Sequence, residues 1–127
     1  MEKSIELING KSRIVATFDI PWGNPEKKTV NGKEEEVRKT AKVKIKKFTF
    51  GEYNDLQKAC MKMTMFGGNP KLDIDPVAMN EQAILKSIIE APFQINDLNA
   101  IRDLDREIAE ILLAKINELN MPSEKKI

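Results

Sequence analysis

KFTFGEYNDL, residues 47–56, is the point where the chain changes character. The residues before it, VKIKKF, alternate like a strand, and those after it have helical spacing. Thr49 followed three positions later by Glu52 fits a capping box, in which hydroxyl and carboxylate satisfy backbone donors left open at a helix start. A strand running directly into a helix could be a phosphate cradle, a nucleophile elbow or a structural hinge. Gly51 is the only glycine there, with no Gly-x-Gly spacing, no Walker Lys-Ser/Thr pair and no Gly-x-Ser-x-Gly. The junction therefore reads as a capped hinge, with Phe48, Phe50 and Tyr53 packing where sheet meets helix.

Upstream of the hinge the signals are β. ELI and RIVATF flank Asn9-Gly10, a dipeptide that suits a type I′ turn because both residues accept positive φ. Pro21, Gly23 and Pro25 then mark a loop around Trp22, and Asn31-Gly32 suggests a second turn. From Val37, alternation puts Val37, Lys39, Ala41, Val43, Ile45 and Lys47 on one side. Arg38, Thr40, Lys42, Lys44, Lys46 and Phe48 fall on the other, which makes a half-buried strand with a basic face.

Downstream the signals are helical. Phe50, Tyr53, Leu56, Cys60 and Met63 follow helical spacing toward Gly67-Gly68, predicting a first helix over about 50–66. Asp75-Pro76, a cap followed by proline at the first helical position, opens a second helix that buries Val77, Ile84, Leu85 and Ile88 and ends before Pro92. Leu98, Ile101, Leu104, Ile108, Ile111, Leu112, Ile116 and Leu119 form a drifting apolar stripe, with a break near Asp103–Asp105. The expected fold is α+β: a small, mainly antiparallel N-terminal sheet of hairpins followed by three to four helices. It forms one domain over 1–127, with a β-rich part at 1–48, a helical part at 49–120 and a frayed tail at 121–127.

Composition narrows the chemistry. The 127 residues contain no histidine, which removes the commonest general base, Ser-His and Cys-His pairs, and imidazole metal sites. The single cysteine, Cys60, excludes an internal disulfide and a Cys-rich zinc site, and fits a reducing compartment. Asp73/Asp75 and Asp103/Asp105, with Glu107 nearby, lack the ligand run of an EF-hand and read as caps and solvated surface. No catalytic, cofactor or metal site is expected. No apolar run is long enough to span a bilayer, and MEKSIELING lacks the apolar block of a signal peptide, so a cytoplasmic protein is expected.

Net charge is only +1, yet it is unevenly distributed. Between Glu26 and Lys47, nine bases (Lys27, Lys28, Lys33, Arg38, Lys39, Lys42, Lys44, Lys46, Lys47) meet four acids (Glu26, Glu34, Glu35, Glu36), a balance of +5. From Glu90 to Asn120, seven acids meet three bases (Arg102, Arg106, Lys115), a balance of −4. A basic strand face could contact nucleic acid phosphates. With no nucleic-acid motif and no aromatic platform beside it, the stronger reading is a solvated edge protected by lysines.

The run CMKMTMF, residues 60–66, is the apolar anomaly. On a helix, Met61, Met63 and Met65 would spread around the axis, so at least one would leave the core. Either the helix is buried all round, or its methionines serve an adaptable binding surface. On the second view the partner-binding candidates are Tyr53, Met61, Met65, Phe66, Ile111 and Leu112.

Three phrases in order, KFTFGEYNDLQKA (47–59), IIEAPFQI (88–95) and NDLNAIRDLDREIAEILLAKINELN (96–120), resemble the tail assembly chaperones of long-tailed phages and related prophage elements. The resemblance covers roughly residues 37–120. It implies a small non-catalytic assembly factor that coats the tape-measure protein, keeps it soluble and recruits tail-tube subunits. Such a factor would work in the host cytoplasm, as a monomer or homo-oligomer, and be absent from the mature virion. N-terminal hairpins longer than those of the smallest members leave a structural tail component open as the alternative.

Overall fold

The computed structural model describes residues 1–24 and 26–121, so Pro25 and, beyond Met121, the expected frayed tail lie outside the described residues. β1 (Glu2–Ile8) and β2 (Lys11–Pro21) form the expected first hairpin, with Asn9 and Gly10 at φ 51° and 78°. β3 (Glu26–Val30) and β4 (Lys33–Val37) form the second hairpin, turning at Asn31 and Gly32, with φ 52° and 76°. β3 and β4 contact chiefly each other. Lys28 pairs with Glu35 and Lys27 with Glu36, opposite charges that support register where no core does.

β5 (Thr40–Lys46) pairs with β2, and the short β8 (Ile88–Glu90) pairs with β5, giving a four-stranded antiparallel sheet of order β1-β2-β5-β8. Its inner face carries Ala16, Phe18 and Ile20 from β2 and Val43 and Ile45 from β5. Against them pack Ile84 and Ile88, Ile101, and the Ile108, Leu112, Ile116 and Leu119 ridge. These come from α2 (Pro76–Ser87) and its junction with β8, α3 (Leu98–Arg102) and α4 (Arg106–Asn120). Trp22 and Phe93, ring centroids 5.7 Å apart, pack at the margin of this core.

The helix starts follow the sequence. Asp75 Oδ1 accepts from the Val77 and Ala78 amides, and Asp97 does the same for α3 from Asn99 and Ala100. The stripe breaks between Arg102 and Arg106 as expected, although Asp105 at the start of α4 makes no side-chain capping bond. Val77, expected in the core, is exposed: it stands in the first turn of α2, about two turns ahead of Ile84, the first buried residue of that helix.

The largest departure lies after the hinge. α1 (Phe50–Ala59) ends at Ala59, about seven residues earlier than expected, and after the Cys60 cap the chain enters a third hairpin of β6 (Met61–Phe66) and β7 (Asn69–Ile74). Gly67 and Gly68, with φ 56° and 87°, form its two-residue turn rather than a helix end. Residues 49–120 are therefore not purely helical. Gly-Gly between two runs of equal length is itself a hairpin signal, masked here because apolar residues up to Met63 also fit a 3.6-residue repeat.

Candidate partner-binding surface

The third hairpin changes what the methionines do. Along a strand, residues two apart share a face, so Met61, Met63 and Met65 form one row. The register sets Met61 against Ile74, Met63 against Leu72 and Met65 against Pro70. These methionines therefore share one side of the ribbon with Ile74, Leu72 and Pro70. The other side holds Lys62, Lys71 and Asp73, with Lys71 and Asp73 3.8 Å apart.

Among the described residues nothing covers the apolar side. Met63 is 64% exposed and Leu72 62%, with Met61, Met65 and Ile74 also exposed. β6 and β7 contact chiefly each other, and a backbone bond from the Asp75 amide to the Cys60 carbonyl, 2.8 Å, closes the base of the ribbon. These side chains present a patch on the order of 500 Å², at the upper end of what a monomer normally exposes.

A second apolar opening lies at the hinge. Phe48, Phe50, Tyr53, Asn117, Asn120 and Met121 line a groove of about 640 Å³ between the start of α1 and the end of α4. Phe48 packs against the core, departing from the strand alternation because β5 ends at Lys46. Phe50, expected to pack, is 84% exposed, and Tyr53 is half exposed. Polar contacts add to the packing of Phe48 at the junction. The Phe48 amide donates to Asn120 Oδ1 at 2.9 Å, and Arg13 Nη2 donates to the Lys47 carbonyl at 2.7 Å.

The capping box exists as expected: Thr49 Oγ1 accepts from the Glu52 amide, and Glu52 Oε1 accepts from the Thr49 amide. Glu52 also binds Arg13 and, at 3.4 Å, Lys46. Burial pushes the Glu52 carboxyl upward, but the Thr49 amide, the Arg13 guanidinium and the Lys46 charge outweigh it and hold the carboxyl down at about 2. A carboxylate so firmly ionised and fully engaged anchors a helix and is a poor proton donor.

Several bases in and beside β5 are paired with acids of β1, α1 and α4. Lys44 Nζ lies 3.0 Å from Glu6 of β1, and that hydrogen bond, with the charges of Glu6 and Glu90, raises its pKa. Lys46 meets Glu52 as described, and Arg38 makes two contacts of 3.1 and 3.2 Å with Glu107 of α4. Among the described residues no three His, Cys, Asp or Glu side chains gather where a metal could bind, and no helix is long and apolar enough to cross a membrane.

The sequence-chosen partner residues divide. Met61, Met65 and Tyr53 reach the surface. Leu112 has no exposed surface and Ile111 is half-buried against the core, because α4 turns its apolar ridge onto the sheet. Leu112 therefore cannot face a partner in this fold, a correction to the sequence reading. Phe66 pairs with Asn69 in the ladder, and its side chain lies outside the described part of the structure. Leu72, Ile74 and Phe50 were missed: the first two emerge only once β7 pairs with β6.

Compared with protein-family models, with curated proteins and with solved structures, the chain matches none.

Proposed function

We propose that this chain is a non-catalytic tail assembly chaperone of a long-tailed phage or prophage-derived element. It binds the tape-measure protein, keeps that protein's apolar helices soluble and helps recruit tail-tube subunits. Acting in the host cytoplasm, it leaves before the virion is complete. The observation that carries the reading is the exposed face of Met61, Met63, Met65, Leu72 and Ile74 on a ribbon whose strands contact chiefly each other. The resemblance of residues 37–120 supplies the identity of the client.

Magnitudes favour a reversible contact. Covering about 500 Å² at roughly 25 cal/mol per Å² yields on the order of 12 kcal/mol gross, and association consumes roughly 4–15 kcal/mol of it. The patch also falls short of the roughly 800 Å² per partner found in stable complexes. Weak binding suits a chaperone that must release its client, and methionine's flexible thioether suits clients of varied shape. A permanent tail component, the alternative, would need a larger interface. Nucleic acid binding ranks lower still, because Glu6 and Glu52 pair with Lys44 and Lys46 on the basic strand.

The test is co-expression with a candidate tape-measure protein, followed by pull-down. The wild-type chain should hold that protein in the soluble fraction, and Met63→Lys with Leu72→Lys should release it. A client that stays insoluble with nothing co-purifying rejects the proposal. Recovery of the chain from purified particles favours the structural alternative.

A further inference from the structure

We infer that β1 is a dimerisation edge, pairing antiparallel with β1 of a second copy about a two-fold axis at Ile5. This inference is independent of the client-binding reading, since it uses a different segment and a different sheet. β1 lies at the edge of the four-stranded sheet and runs seven residues with no proline, glycine or register shift. Such an edge offers unpaired amides and carbonyls to any complementary strand.

Hydrogen-bond parity identifies which groups are free. The two-residue Asn9-Gly10 turn makes Ile8 and Lys11 exchange both backbone bonds, and antiparallel alternation then turns Glu6, Ser4 and Glu2 toward β2. The amides and carbonyls of Leu7, Ile5 and Lys3 therefore point away from the sheet. An independent contact agrees: the Lys47 amide donates to the Ile14 carbonyl at 2.8 Å, so Ile14 faces β5 and its cross-strand partner Ile5 faces outward.

The side chains of these residues are as unusual as their backbones. Ile5 is 73% exposed and Leu7 75%, on the same sheet face as Ala16, where β2 is covered by helices but β1 is not. With Ile5 opposite Ile5 of the second copy, Lys3 opposes Leu7, and its alkyl stem can lie on that side chain. Ser4 opposes Glu6, and Glu2 opposes Ile8. A two-residue slip in one direction sets Glu2 against Glu6, and in the other sets Glu6 against Glu6, like charges that destabilise directly opposed pairs. Charge thus selects the register centred on Ile5, which joins two sheets into one of eight strands.

Sedimentation equilibrium of the whole chain tests this directly, with a concentration-dependent rise from 14.4 kDa toward twice that mass expected. Ile5→Pro removes an amide hydrogen that the monomer leaves in solvent, and should abolish the rise without loss of the circular dichroism of the fold. If that variant unfolds, Ile5→Lys serves instead, setting two ammonium groups against each other across the axis. Ile5→Cys should form a covalent dimer on mild oxidation, because directly opposed Cα atoms at roughly 5.5 Å suit a disulfide. Ser4→Cys should not, its counterpart being a diagonal neighbour at roughly 7–8 Å. A monomer at every concentration overturns the inference, as does a dimer that survives both Ile5→Pro and Ile5→Lys. A dimer lost on Met63→Lys, with no cross-link at position 5, also overturns it and moves the interface to the third hairpin.

Discussion

Arg13 in β2 and Glu52 in the first turn of α1, 39 residues apart, form an ion pair that fastens the hinge to the sheet. Arg13 also holds the Lys47 carbonyl, so one guanidinium grips both sides of the junction. Glu52 answers with both of its roles, capping α1 and binding two cations.

This pair makes stability depend on acid. The Glu52 carboxyl stays near 2 in the folded chain against an ordinary 4.5, so between those values the unfolded chain binds a proton that the folded chain refuses. The contribution is fully present above about pH 4.5 and is lost as pH falls toward 2. Because a third of this side chain is exposed to solvent, the contribution is discounted to about 1–2 kcal/mol. Urea melts of the wild type and Glu52→Gln should differ by that amount at pH 7 and converge near pH 2. Equal stability at pH 7 would show that the network does not hold α1.

Core and surface residues that look alike in sequence should separate on truncation. Leu112→Ala should cost about 2–5 kcal/mol, because Leu112 is fully enclosed between α4 and the sheet. Met63→Lys should stay within about 0.5 kcal/mol of wild type, since Met63 touches solvent. Chemical denaturation measures both. A large loss for Met63→Lys would mean that the ribbon face is packed after all.

Cys60 should react slowly. It is 2% exposed, and burial, with the Asp75 charge nearby, raises its pKa, so little thiolate is available to attack. Alkylation by iodoacetamide at pH 8 should proceed only as fast as the chain opens, and accelerate with sub-denaturing urea. Immediate labelling of the native protein would contradict the buried placement.

The third hairpin should melt without the domain. Gly68→Val forces a β-branched residue to φ 87°, at a cost of roughly 1–2 kcal/mol. Because β6 and β7 contact chiefly each other, hydrogen exchange should speed up at their amides and remain unchanged in α4. Global acceleration would show that the ribbon is integral to the core.

Local rules explain what could be read along the chain. Asn9-Gly10 and Asn31-Gly32 announce their turns, Thr49 and Glu52 their capping box, and Asp75-Pro76 its helix, because each is settled by bonds and φ values within four residues. The alternation from Thr40 to Lys46 likewise identified which face of β5 is buried. From Cys60 to Ile74 the local signals conflicted. The first residues of this stretch satisfy a helical repeat as well as a strand repeat, and the choice rests on pairing between Met61–Phe66 and Asn69–Ile74, a contact between segments. That pairing moved the methionines from a supposed helix surface to one face of a ribbon and brought Leu72 and Ile74 beside them. Burial of Leu112 was equally undecided by sequence, since an apolar ridge fits a partner's groove as well as the chain's own sheet. Turn and cap chemistry determined where the elements begin; only packing between distant elements decided which apolar residues remain for another molecule.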